Sequence, residues 1–197
     1  MSNAISTEIH DHTLVIKFTR PEIRSPLSVF VLEELRDIIG SAREKALVFT
    51  GSEDVFASGA DLREISDLTE DTAKNFAELG QGVMHQIADY PRKTIAAVNG
   101  YCFGGALDLA LACDTRIASP NAVFSHPGAN LGIMTGWGGT QRLPRLIGEA
   151  MALEMFFTAK RVGADEAMSI GLVDEITDDA LARSLVIALN SAVGLSL

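Results

Sequence analysis

Between Asn99 and Asp114 the chain reads Asn-Gly-Tyr-Cys-Phe-Gly-Gly-Ala-Leu-Asp-Leu-Ala-Leu-Ala-Cys-Asp, and no other stretch constrains the fold as much. From Phe103 to Cys113 every residue except Asp108 is apolar or glycine. A helix apolar on all its faces is buried on nearly all of them. An ionised carboxylate inside it is costly unless paired or hydrogen-bonded, and burial raises its pKa. The Gly104-Gly105 pair permits close approach to the backbone, and the free amides at a helix N-terminus favour an anion. Anion-holding amides beside a carboxyl of raised pKa point to an active site.

Around this helix the pattern alternates between strands and helices. Residues 13–19 are β-branched and read as a strand, paired with residues 6–10 across Asp11-His12. Residues 27–42 place Val31, Leu32, Leu35, Ile38 and Ile39 on one face of a helix. Ser25 is the expected cap, ahead of Pro26 in the first turn. Residues 46–50 and 94–98 read as buried strands, the second feeding the Gly-Gly helix. Residues 115–118 and 122–125 are short strands about Ser119-Pro120-Asn121. Asp61 caps a short helix. Longer helices are expected over 72–90, 140–147, 149–158 and 164–169, and from 178 to the C-terminus. Paired strands separated by helices make this an α/β protein.

A length of 197 residues fits one domain. The charge of −10, from 16 Lys and Arg against 26 Asp and Glu, comes with no basic stripe and argues against nucleic acid as a partner. Cys102 and Cys113 read as reduced core thiols, and they are not spaced to hold a metal. With no signal-peptide pattern and no apolar run near the ~20 residues a bilayer needs, a soluble cytoplasmic protein without a membrane partner is expected.

Two turns that follow buried strands offer uncrowded amides: Phe56-Ala57-Ser58-Gly59-Ala60-Asp61-Leu62, and Phe103-Gly104-Gly105. Strand ends are where α/β folds bind ligands, and two converging amides make an oxyanion hole. Each turn alone also has a structural reading, with glycine present for positive φ or close packing.

These turns lie in series with Ile95-Ala96-Ala97-Val98-Asn99-Gly100-Tyr101, Cys113-Asp114 and Phe124-Ser125-His126-Pro127. Gly138-Gly139-Thr140-Gln141-Arg142-Leu143-Pro144-Arg145 and Ile170-Gly171-Leu172-Val173-Asp174 follow. In this order, across residues 13–176, they resemble the crotonase superfamily, the enoyl-CoA hydratases and isomerases. The resemblance implies a spiral of repeated β-β-α units with C-terminal helices, residues 1–176 forming the core and 177–197 a shortened helical segment. It implies an acyl-CoA thioester as substrate, with coenzyme A part of that substrate and no separate cofactor, and a homotrimer or pair of trimers. It places the oxyanion-hole amides on Ala57 and Gly105, and the adenine pocket along Ala60, Asp61 and Leu62. Gly104 and Trp137 fall near the acyl group, Trp137 being equally suited to core packing.

Two acid/base positions carry over with departures. One, usually glutamate, falls on Asp108, a methylene shorter. The other falls on Gly128 in Phe124-Ser125-His126-Pro127-Gly128, which has no proton to give. Each such group contributes about 10²–10⁴-fold, so a two-glutamate hydratase is not expected. Three readings follow. Asp108 alone moves a proton on a thioester enolate, Gly128 leaves room for a bound anion or substrate carboxylate, or the chain is a non-catalytic acyl-CoA binder. His126, two residues from Gly128, reads as structural with acid/base work as its alternative, Asp114 as structural, Glu64 as solvated, and Arg142 and Arg145 as ion-paired helix residues with phosphate contact as their alternative. Relatives generally continue beyond this chain's last helix with segments that cover the site. Residues 178–197 are expected to replace only part of them.

Overall fold

A strand for one sheet, a shorter strand for a second sheet and then a helix recur along the chain. The computed structural model describes residues 4–42 and 44–192. The N-terminal hairpin is β1 (Ile5–His10) and β2 (Thr13–Phe18), followed by β3 (Pro26–Leu27) and α1 (Val29–Ser41). One repeat is β4 (Ala46–Thr50), β5 (Val55–Ala57), β6 (Gly59–Ala60), α2 (Leu62–Ser66) and α3 (Glu70–Ala88). The next is β7 (Thr94–Val98), β8 (Tyr101–Phe103) and α4 (Gly105–Ala112). After it come β9 (Thr115–Ala118), β10 (Val123–Ser125), a 3-10 turn (Pro127–Leu131), α5 (Gly139–Ile147) and α6 (Glu149–Thr158). The last elements are β11 (Val162–Gly163), α7 (Ala164–Ser169), β12 (Glu175–Ile176) and α8 (Ala180–Ala192).

The large sheet has the order β1-β2-β4-β7-β9-β12, parallel except for the β1–β2 hairpin. The small sheet runs β11-β10-β8-β5. Strands β4 and β7 are buried throughout, as continuous apolar runs in a parallel sheet covered on both faces must be. One face carries Leu47, Phe49, Ala96 and Val98 into the main core with α1, α3 and α4. The other carries Val48, Ile95, Ala97 and Ile117 against Ala180 and Ala188 of α8. Helix α8 therefore seals the sheet face turned away from α4. The expectation that this segment partly replaces a cover over the site is corrected, and residues 193–197 of it lie outside the described residues.

Two local expectations change for definable reasons. Ser25 does not cap α1: it has φ 46° and its Oγ accepts from the Arg20 amide. Pro26 and Leu27 pair instead with Gly59 and Ala60, which moves the helix start to Ser28, whose Oγ accepts from the Val31 amide. Glu64 is not merely solvated. Its Oε2 accepts from the Val29 amide at 2.8 Å, so a carboxylate from α2 meets the positive end of α1. Before α4, the three-residue strand β8 intervenes, turning the chain from the large sheet into the small one.

Candidate active site

The site forms where the ends of β5 and β8 meet. Ala57 pairs with Cys102 across the small sheet. Gly59 has φ 86°, and a Cβ there would lie 2.6 Å from the Gly105 amide nitrogen and from the Phe103 carbonyl oxygen. Glycine is required by that approach, and it seats residues 57–60 directly on the start of α4. Gly104, at φ 54° and ψ −124°, donates its amide to the Ser125 carbonyl. Gly105 is the first residue of α4, so its N–H lacks an intrahelical partner.

Asp108 follows one turn later and is fully buried. The Thr135 hydroxyl donates to Asp108 Oδ2. Burial drives the carboxyl up to about 6, against the opposing pull of Thr135, the Gly139 and Trp137 amides and the Arg142 charge. His126 Nε2 stands 3.5 Å from Asp108 Oδ1, too long for a well-formed hydrogen bond. Both atoms are buried and neither has a hydrogen-bond partner among the described residues. Burial also pushes His126 down to about 4, so a neutral imidazole faces the carboxyl at pH 7. Its ring is tilted against Phe156 with centroids 5.0 Å apart.

In front of this pair lies a cavity of about 240 Å³. Ser58, Ala60, Leu62, Gly104 and Gly105 form one side, and Phe76, Leu131, Met134, Trp137 and Phe156 supply apolar walls. The polar side chains reaching it are Ser58, His126 and Thr135. Asp108 and Ala57 are fully buried and are not among the lining residues; His126 and Thr135, which contact Asp108, are. Gly128 is on the wall, but a Cβ there would come 2.5 Å from the Ile133 carbonyl oxygen. Its own carbonyl accepts from the Ile133 amide at 3.0 Å. This glycine is required by a tight turn, and its missing side chain leaves no vacancy.

Trp137 serves as wall and as packing. It is wedged between α3 and α4, with ideal Cβ positions on Gly80 and Gly105 falling 2.1 and 2.3 Å from its indole, and it contacts Phe76. As the sole tryptophan it also reports on the cavity. Gly80→Ala is expected to displace the ring, shift its fluorescence and destabilise the fold by about 1–3 kcal/mol, the usual cost of overpacking. An unchanged emission spectrum and urea midpoint would show that the wedge is loose.

Other expectations are redirected. Ala60 and Leu62 line the cavity, but Asp61 does not. Its carboxylate caps α2 through the Arg63 amide and pairs with the Arg63 guanidinium at 2.7 Å. It faces a second hollow, shared with Arg20, Ser25 and Phe30. Among the described residues Arg142 makes no ion pair; it donates to the Trp137 and Met84 carbonyls and so pins the Trp137 loop to α3. Arg145 donates to the Gln141 carbonyl. Asp114 is structural, its Oδ2 accepting from the Thr94 amide at 2.8 Å. Thr135 was not anticipated, since a threonine in an irregular loop 27 residues from Asp108 carries no pattern. Among the described residues no group of three or more His, Cys, Asp or Glu is placed to hold a metal ion, and no helix is long and apolar enough to cross a membrane.

Comparison with known proteins agrees with this geometry. The family model for enoyl-CoA hydratase/isomerase matches residues 8–191. A crotonyl-CoA hydratase of Syntrophomonas wolfei is 40% identical over 177 residues, 87% of this chain and 68% of that protein. The human mitochondrial enoyl-CoA hydratase domain-containing protein 2 is 40% identical over 164 residues, 81% of this chain but 56% of that one. In structure, an enoyl-CoA hydratase from Bacillus anthracis superposes with a TM-score of 0.88 at 34% identity, covering 98% of this chain and 76% of its own. Pseudomonas aeruginosa DspI gives 0.91 at 35%, covering 97% and 75%. With its β-β-α spiral and the motifs above, the chain belongs to the enoyl-CoA hydratase/isomerase family.

Proposed function

We propose that the protein moves a proton on an enoyl-CoA thioester through an enolate, with Asp108 as the proton store. The observation that carries this reading is the buried carboxyl of raised pKa, one turn into a helix whose first amides border an apolar cavity. In this reading the Ala57 and Gly105 amides hold the thioester oxygen as negative charge develops on it, contributing a few kcal/mol per donor. Gly104, Gly128 and Trp137 shape the acyl end. Ala60, Leu62 and the Asp61 main chain lead toward the adenine of coenzyme A, which arrives as part of the substrate. A carboxyl near pH 6 is poised to accept and return one proton close to neutrality. One store suits a shift of the double bond, or a hydration in which the proton taken from water returns to the α-carbon. The 2.5 Å approach of Ile133 to an added Cβ at Gly128 weighs against the reading of a vacant anion site. A homotrimer in the cytoplasm remains part of the proposal; light scattering giving one chain's mass would remove the trimer.

The test is incubation with crotonyl-CoA and 3-butenoyl-CoA, products being separated by chromatography. Conversion of either is expected, and the product distinguishes hydration from isomerisation. Tight binding of butyryl-CoA without conversion of either thioester would instead identify a non-catalytic binder.

A further inference from the structure

We propose that His126 is the group that carries the proton between Asp108 and a substrate in the cavity, an inference that rests on the function proposed above. Asp108 has no exposed surface and is not among the residues lining the cavity, whereas the two side chains against its oxygens, His126 and Thr135, both are. Any proton exchanged between the carboxyl and a bound thioester therefore crosses one of them. The Thr135 hydroxyl already donates to Oδ2, and a stepwise relay through it would need a protonated hydroxyl or an alkoxide, both high in energy near neutral pH. Imidazole needs neither, because it has one nitrogen for each side. Nε2 is turned toward Oδ1, two buried atoms facing each other at 3.5 Å. His126 lines the cavity, and with Nε2 turned to Asp108 the relay runs through the edge of the ring that bears Nδ1. Contact with Phe156 helps hold the ring in this orientation.

The step balances within the site. The substrate C–H bond breaks, its proton goes to Nδ1, and its electron pair moves onto the thioester oxygen to give the enolate. The Nε2 proton passes to Asp108 Oδ1. Neutral imidazole, protonated Asp108 and enolate result, and the reverse transfer to another carbon restores both residues. Burial keeps the ring neutral and favours the proton on the carboxyl, so Asp108 is the store and His126 the conduit.

The test compares wild type, His126→Ala, His126→Gln and Asp108→Asn on the thioester that the wild type converts, with and without added imidazole. His126→Gln keeps most of the side-chain volume and covers the case in which the alanine variant fails to fold. Both His126 variants are expected to lose about 10²–10⁴-fold in kcat with KM little changed. Free imidazole is expected to restore part of the His126→Ala rate and none of the Asp108→Asn rate. Rescue separates proton transfer from packing, since imidazole cannot repair a displaced backbone. Two results overturn the relay alone: His126 variants that match wild-type turnover, or a loss in a folded His126→Ala variant that imidazole does not restore. If the wild type converts no thioester, the proposed function fails first and takes the relay with it.

Discussion

Replacing Asp108 by asparagine is expected to lower turnover of any thioester the wild-type protein converts by about 10²–10⁴-fold, the usual contribution of one acid/base group. Binding of a saturated acyl-CoA should change little. The amide keeps the shape of the carboxyl and can still accept from Thr135, and neither Asp108 nor its replacement borders the cavity. Contacts to the bound thioester therefore survive while the proton store is lost. The wild-type rate should fall as pH drops through about 6, because Asp108 must be ionised to accept a proton and burial sets its pKa there. Steady-state rates together with calorimetric binding of butyryl-CoA decide the matter. An asparagine variant within tenfold of wild type removes Asp108 from the mechanism. A variant that also loses binding assigns the residue to holding the cavity together.

The parts of this molecule legible in the sequence are those dictated by local composition. Helix α4 announced its burial because only Asp108 interrupts its apolar run, and β4 and β7 did so as continuous apolar strands. The Gly104-Gly105 turn and the cap at Asp61 follow from residue types with narrow backbone uses. What escaped depends on partners distant in sequence. Ser28 displaces Ser25 as a cap because β3 pairs with β6, some 30 residues later. Gly128 looked like a lost acid, yet its reason is the carbonyl of Ile133, in a turn that periodicity does not describe. His126 and Thr135 meet Asp108 from outside α4, and their contacts exist only once the loop before α5 folds over the helix. His126 stands two residues from Gly128 and so is a candidate in the sequence, but its contact with Asp108, and the part played by Thr135, had to come from the structure.

The Asp108–His126 contact also has an expected signature in stability, one that the wild-type protein hides. Burial raises Asp108 from 3.8 to about 6 and lowers His126 from 6.5 to about 4. Each shift is worth about 3 kcal/mol across its window. For Asp108 the folded state keeps a proton that the unfolded chain has released, so its stability contribution is complete below about 4 and is lost as pH rises through about 6. For His126 the folded state refuses a proton that the unfolded chain has taken up. Its contribution is complete above about 6.5 and is lost as pH falls through about 4. Between these limits the folded pair is protonated carboxyl and neutral ring, and the unfolded pair is carboxylate and imidazolium. Both states bind one proton, so the two slopes cancel.

Single substitutions should expose them. Asp108→Asn leaves the histidine slope and is expected to lose about 3 kcal/mol relative to wild type as pH falls from 6.5 to 4. His126→Met cannot bond the carboxyl and leaves the aspartate slope, with a relative loss of similar size as pH rises from 4 to 6. The other groups acting on the pair, Thr135, the Gly139 and Trp137 amides and the charge of Arg142, are present in all three proteins and drop out of the differences. Urea unfolding at pH 4, 5, 6 and 7 measures both. Divergence of the two variants in opposite directions from wild type would show that each group is held neutral by burial rather than by an ion pair. An ion pair would instead move the folded-state titrations below about 4 and above about 6.5, so curves that stay parallel between pH 4 and 6 would show that neither group is held neutral.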